Sequence, residues 1–178
     1  MDSKLIKLAY PFSISFQDYP DPYFCSLVVY LTGCEHNCKN CHNPQLQDSE
    51  QEIEGTVEIH TNTAIRLINE FMQKNDQVEA IVLSGGDPLH KNNLYFTKKF
   101  CEENGNKHSI CIYTGYEIDY VKEQNITGFK FLKCGKYEEK KKQESFKDDY
   151  RMQLASKNQN FYDAEYRQLS KNGVLNFF

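Results

Sequence analysis

The stretch SLVVYLTGCEHNCKNCHNP, residues 26–44, changes character at its midpoint. Its first six residues are apolar, β-branched or aromatic after an opening serine, which reads as a buried strand. Gly33 ends that run, and Cys34, Cys38 and Cys41 follow at CxxxCxxC spacing. Positions i, i+4 and i+7 would also share one stripe of an α-helix. Gly33, the asparagines at 37, 40 and 43, and Pro44 all oppose a continuous helix, so the cysteines belong to a loop leaving the C-terminal end of a strand.

Working outward, the same strand-then-turn pattern recurs. Thr61 can cap a helix in which Ala64, Ile65, Leu67, Ile68, Phe71 and Met72 repeat at helical spacing, with Lys74, Asn75 and Asp76 closing it. EAIVLSGGD (79–87) reads as a strand and a glycine turn, and an amphipathic segment over about 93–104 leads to SICIYTGY (109–116), again a strand and a glycine turn. A weaker helix near 117–124 and a strand in GFKFLK (128–133) continue the alternation. Alternating strands and helices imply parallel strands with helical crossovers, an α/β fold. Ligands collect at the C-terminal ends of such strands, and three of them deliver TGCEHNCKNC, SGGDP and TGY to one edge.

At 178 residues the chain reads as a single domain, 1–178, with a charged loop at about 136–151 and a short C-terminal extension. An apolar share of 39% with 13% aromatics excludes a disordered chain. The net charge of -4 excludes binding driven by phosphate neutralisation, so no nucleic-acid partner is expected. MDSKLIKLAYPFSISF lacks the features of a secretory signal, and no apolar run approaches the roughly 18 residues of a membrane span, which points to a cytoplasmic protein with no membrane partner. In a reducing compartment a cluster of three among seven cysteines favours metal binding over disulfides. Cys25, Cys101, Cys111 and Cys134 sit among apolar neighbours and read as core residues.

Two metal chemistries suit the loop. Three thiolates with His36 or His42 could complete a zinc tetrahedron, although a second CxxC pair is absent. Alternatively, three thiolates could hold a 4Fe–4S cluster and leave one iron without a protein ligand, free to bind a substrate.

CxxxCxxC after a strand and a TGC turn resembles the signature of the radical S-adenosylmethionine superfamily, and LSGGDP (83–88) resembles its glycine-rich turn at the end of the second strand. CHNP (41–44) is similar to the branch that places a glycyl radical on a partner enzyme. YTGY (113–116) and LASKNQNFYD (154–163) resemble segments of the activating family that serves anaerobic ribonucleoside-triphosphate reductase. The resemblance runs over about 26–163. It implies a partial (β/α) TIM-like barrel of the radical S-adenosylmethionine type, with one 4Fe–4S cluster on Cys34, Cys38 and Cys41. It also implies S-adenosylmethionine bound near Asn40, His42, Ser84, Gly85, Gly86 and Asp87, with Asp87 meeting the methionine ammonium. The implied reaction is reductive cleavage to a 5'-deoxyadenosyl radical that takes hydrogen from a glycine of the reductase. An external one-electron donor such as flavodoxin supplies the electron, and no side chain has a catalytic role beyond holding the cofactors.

The chain departs from the family pattern at Asn40, where an aromatic residue often stands, at Asp87 in place of Glu, and in YPDPYFCS (19–26) in place of a DGPG-like segment. The charged stretch over 136–151 is also unlike the family's usual segment. Tyr113 and Tyr116 read as packing residues, and Asn43 and Pro44 as fixing the turn out of the loop. The rival readings are a small radical enzyme acting elsewhere, in pyruvate formate-lyase activation or 7-carboxy-7-deazaguanine synthesis, and a non-enzymatic zinc module.

Overall fold

A computed structural model of the chain describes residues 4–144 and 152–175. Its strands are β1 (Leu5–Ala9), β2 (Ser13–Ser15), β3 (Ser26–Leu31), β4 (Thr56–His60), β5 (Ala80–Gly85), β6 (Ser109–Tyr113), β7 (Phe131–Cys134), β8 (Asn160–Asp163), β9 (Ser170–Lys171) and β10 (Val174–Leu175). The helices are α1 (Thr61–Lys74), α2 (Leu94–Asn104) and α3 (Ile118–Glu123). None of the described helices is long and apolar enough to cross a membrane.

The central strands β3, β5, β6 and β7 are parallel neighbours, as the alternation of strand and helix predicts. The hydrogen-bonded path runs β4-β1-β3-β5-β6-β7-β8, with β2 also on β3, and the outer side of β8 is bonded in turn to residues 167–169. The antiparallel additions escape sequence reading. β1 and β4 pair through five residues each, and β8 lies antiparallel on β7 with Cys134 opposite Asn160. These strands are short and half-exposed, so they carry little apolar periodicity.

Strand alternation sends side chains to two different layers. Leu27, Val29 and Leu31 of β3 and Ile81 and Leu83 of β5 pack with Ala64, Ile65 and Ile68 of α1, Phe96 and Phe100 of α2, and Val121 of α3. The intervening Val28, Ala80, Val82 and Cys111 meet Tyr19, Leu154, Phe161 and Leu175 instead. The helices therefore cover one face, and the segment after β7 covers much of the other. Cys25, Cys101, Cys111 and Cys134 are all buried, as expected of core thiols.

One local expectation is corrected. Thr61 does not cap α1: it is the first helical residue, and His60 precedes it in extended conformation without a side-chain cap. The Thr61 N–H, one of the donors a helix start leaves without an intrahelical partner, donates to the Lys4 carbonyl just ahead of β1 at 2.9 Å. Thr61 Oγ1 is buried with no partner among the described residues.

The charged segment is only partly a solvated loop. Beyond Gly135 it forms a 3-10 turn at Glu139–Lys141 held against residues 155–159, and residues 145–151 lie outside those described. The tie is the SKNQ run. Lys157 N–H donates to Lys141 O at 2.9 Å, Asn158 Nδ2 to Lys136 O at 2.9 Å, and the Glu138 N–H to Ser156 Oγ at 3.3 Å. Gln159 Nε2 donates to Gly135 O at 3.1 Å while its Oε1 accepts from Ser156 N–H.

Candidate metal and cofactor site

The loop after β3 leaves the sheet through Thr32 and Gly33, with Gly33 in the left-handed region at φ 94°. Asn37 and Asn40 also adopt positive φ, at 48° and 58°, which asparagine tolerates better than most side chains and which rules out a helical cysteine stripe. Pro44 opens a 3-10 turn with Asn43 at its N-cap, so the two residues do set the exit from the loop.

The glycine turn at the end of β5 packs directly on this exit. Gly86 N–H donates to Leu31 O at 2.7 Å and Asp87 N–H to Gly33 O at 2.8 Å. A Cβ on Gly86 would stand 2.5 Å from Gly33 O and 2.8 Å from Leu46 O, and Gly85 has φ 105°. The glycine pair therefore lets the β3 and β5 turns touch backbone to backbone, a structural demand additional to any ligand approach.

All nine residues singled out from sequence line one cavity of about 550 Å³: Cys34, Cys38, Asn40, Cys41, His42, Ser84, Gly85, Gly86 and Asp87. They do not play equal parts in it. Asp87 is 2% exposed. Its Oδ1 accepts from Leu89 N–H at 2.7 Å and Thr114 Oγ1 at 2.9 Å, and its Oδ2 accepts from Gly115 N–H at 2.8 Å and meets His36 Nε2 at 2.8 Å. It is thus the knot between the ends of β5 and β6 and the cysteine loop. Asn40 is exposed and donates to Glu139 Oε2 at 3.0 Å, linking the loop to the 3-10 turn. His42 is exposed at the rim.

Among the described residues, one set of three metal-ligating side chains has donor atoms all within 4.8 Å of one another: Cys34, His36 and Asp87. The three cysteine sulfurs do not form such a set. Around one tetrahedral zinc, with Zn–S near 2.3 Å, thiolates stand only about 3.8 Å apart. At least one pair of the three therefore lies farther apart than a single zinc would hold it. Burial pushes the Cys34 thiol up to about 11, so it is held protonated at neutral pH until a metal replaces the proton.

Sequence reading missed several lining residues. His36, weighed there only as a zinc ligand, packs edge-on against Tyr116 with ring centroids 4.5 Å apart. Tyr116 in turn donates to Glu35 Oε1 at 2.7 Å. Tyr113 packs against Phe161 and donates to Asp18 O at 2.6 Å, so both tyrosines are packing residues. Lys133 lines the cavity half-buried, its Nζ donating to Gly135 O at 3.0 Å, and burial lowers its ammonium pKa. Its signal was present: within GFKFLK, Lys133 alternates with the buried Leu132 and Cys134 and so faces the other way, beside Tyr113.

With that geometry in hand, comparison with known proteins is informative. Residues 25–162 match the family described as 4Fe-4S single cluster domain. Anaerobic ribonucleoside-triphosphate reductase-activating proteins from Haemophilus influenzae and Escherichia coli K12 are each 30% identical, over 54% and 52% of this chain and 62% and 59% of their own. The protein of the same name from Enterobacteria phage T4 is 24% identical over 64% of this chain and 72% of its own. The chain thus spans less than two thirds of the two bacterial relatives. Among solved structures, QueE from Escherichia coli aligns with a TM-score of 0.44 at 16% identity, covering 62% of this chain and 53% of that one. The matched span holds the cysteine loop, both glycine turns, Lys133 and Gln159 in one stretch, and by it the chain belongs to the 4Fe-4S single cluster domain family.

Proposed function

We propose that the chain is a radical S-adenosylmethionine enzyme that activates anaerobic ribonucleoside-triphosphate reductase by generating a glycyl radical on it. The observation that carries this reading is the convergence of the CxxxCxxC loop, the SGGD turn and the TGY turn on one cavity at the C-terminal ends of parallel strands. The names of its relatives agree with it. The sheet path from β4 to β8, which does not close on itself among the described residues, suits a partial (β/α) barrel that admits a polypeptide. Seven free thiols suit a reducing, cytoplasmic setting, and a single domain accounts for the described residues.

In this reading Cys34, Cys38 and Cys41 hold a 4Fe–4S cluster, and the cavity beside them takes S-adenosylmethionine. When bound, the two groups supply a 5'-deoxyadenosyl radical after one-electron reduction by an external donor such as flavodoxin. The chain's own residues bind and orient. Lys133 offers a half-buried cation to a carboxylate, and backbone of residues 84–86 offers carbonyls to an ammonium. Asp87 acts first as a positioning residue, because its oxygens already serve four protein donors; a ligand ammonium reaches it by displacing His36. Tyr30, Tyr113 and Leu154 supply apolar wall that limits water.

Anaerobic reconstitution followed by reduction tests this directly. Brown protein with close to four irons per chain that forms 5'-deoxyadenosine, and loses it in Cys34→Ala, Cys38→Ala and Cys41→Ala but not Cys111→Ala, is the expected outcome. One zinc per chain and no iron uptake would overturn it.

A further inference from the structure

The chain carries net negative charge, yet lysines gather beside the cysteine loop. Lys39, within that loop, and Lys136 and Lys140 line one groove of about 310 Å³ together with His36 and Cys38. Lys141 and Lys142 follow Lys140 in the chain, and Lys157 is tied to Lys141 through the bond from its N–H to Lys141 O. All six lysines are exposed. Among the described residues two acids line the groove, and both are internally engaged: Glu138 pairs with Lys141 at 2.9 Å, and Glu139 accepts from Tyr137 at 2.7 Å and Asn40 at 3.0 Å. Tyr137 and Asn40 hold the Glu139 carboxyl below its usual range, and Lys142 and Lys39 reinforce this, which places both lysines within electrostatic reach of the groove. Cys38 and His36 line this groove and also the cofactor cavity, so the patch lies directly outside one wall of that cavity.

We infer that this groove is the docking surface for an acidic, low-potential one-electron carrier protein. The inference rests on the reading that Cys38 holds the cluster. A basic patch on a chain of opposite net charge steers acidic partners, and Cys38, which lines both groove and cavity, would hold the cluster next to that patch. At this interface the carrier is oxidised by one electron and the cluster is reduced by one; no bond or proton changes hands there. The carrier's acidic surface meets Lys39, Lys140 and Lys142.

The test compares two reductants on the anaerobically reconstituted protein. Reduced flavodoxin is the acidic probe, and photoreduced deazaflavin is a small uncharged reductant that needs no docking surface. In the Lys140→Glu/Lys142→Glu variant, the second-order rate of cluster reduction by flavodoxin at about 0.01 M salt should fall at least ~10-fold. Raising salt to about 0.15 M, which shortens the Debye length from about 30 to about 8 Å, should slow the wild type and not the variant. Reduction by deazaflavin should be unchanged, and the same charge change placed at Lys74→Glu/Lys107→Glu should leave both reactions near wild type. Lys39→Glu is a second variant with the same expectation. Equal flavodoxin rates in patch variants and wild type overturn the proposal, as does equal slowing by the distant pair. It is likewise overturned if patch variants reduced by deazaflavin cleave S-adenosylmethionine normally but fail to activate the reductase, since the groove is then the reductase's surface. Loss of 5'-deoxyadenosine formation by the wild type with deazaflavin strikes instead at the underlying functional reading.

Discussion

Asp87 shows how a side chain at a cofactor cavity is committed to the protein before any ligand arrives. Its carboxylate satisfies the Thr114 hydroxyl and the Gly115 and Leu89 N–H groups and meets His36, all at 3.0 Å or less. Asp87→Ala should therefore destabilise the cluster-free protein by about 1–3 kcal/mol for each buried donor left unpaired, read as a lower urea midpoint. A midpoint equal to wild type would show that the knot is not formed. His36→Gln should cost less than about 1.5 kcal/mol, because one hydrogen bond is lost at a partly exposed position. The buried thiols give a pH dependence of known sign. Burial pushes the Cys101 thiol up to about 12 from an ordinary value of 9.0, and Cys111 and Cys134 move the same way. The unfolded state thus loses these protons first, and the stability they contribute is complete below pH 9.0 and lost as pH rises toward about 12. Urea midpoints of the cluster-free protein should fall between pH 8.5 and about 10.5; a flat or rising profile would contradict the burial of these thiols. At this scale the gathering of Cys34, Cys38 and Cys41 at one cavity was legible because their spacing after a strand is the signal. The saturation of Asp87 was not, since its donors come from residues 89, 114, 115 and 36, which no local pattern connects.

The elements that position the site are those the sequence marks most strongly. β3, β5 and β6 are buried, largely β-branched runs ending at glycine turns, and each lies where its residues predict; β7, half buried and without a β-branched residue, begins three residues later than GFKFLK suggests. β1, β4 and β8 were missed because half-exposed antiparallel strands need partners far along the chain to be recognised, as when Leu5 pairs with His60. The SKNQ run is instructive. Sequence resemblance marked it without a reason, and the structure supplies one in the bonds from Ser156, Lys157, Asn158 and Gln159 to residues 135–141, which build a wall of the cavity. The contact between the β3 and β5 turns yields a sharp comparison. Gly86→Ala forces a methyl against the Gly33 and Leu46 carbonyls, and overpacking of this kind should cost about 1–3 kcal/mol and lower iron retention. Gly55→Ala, with nothing within 4 Å of the added carbon, should bear only the strain of its φ of 77°, about 1 kcal/mol, and retain iron fully. Equal iron content in the two variants would mean that the close turn does not shape the site.

For the whole molecule, the sheet separates two functions between its faces. One face buries against α1, α2 and α3, and the other carries the cavity, closed by residues that follow β7. The cavity's contents come from the ends of four parallel strands and from the tail, so no single segment makes the site, and the tail's share was hidden by the charged composition of residues 136–151. The charge distribution follows the same division, with basic groups concentrated outside the cysteine loop on a chain that is acidic overall. The central claim is that this arrangement produces a radical on a second polypeptide. The measurement that tests it most directly is electron paramagnetic resonance of an anaerobic mixture of the reconstituted protein, its cognate ribonucleoside-triphosphate reductase, a reductant and S-adenosylmethionine. The account predicts the doublet of a carbon-centred glycyl radical on the reductase chain, lost when the reductase glycine is changed to alanine; a silent reductase in the presence of continuing 5'-deoxyadenosine formation would contradict it.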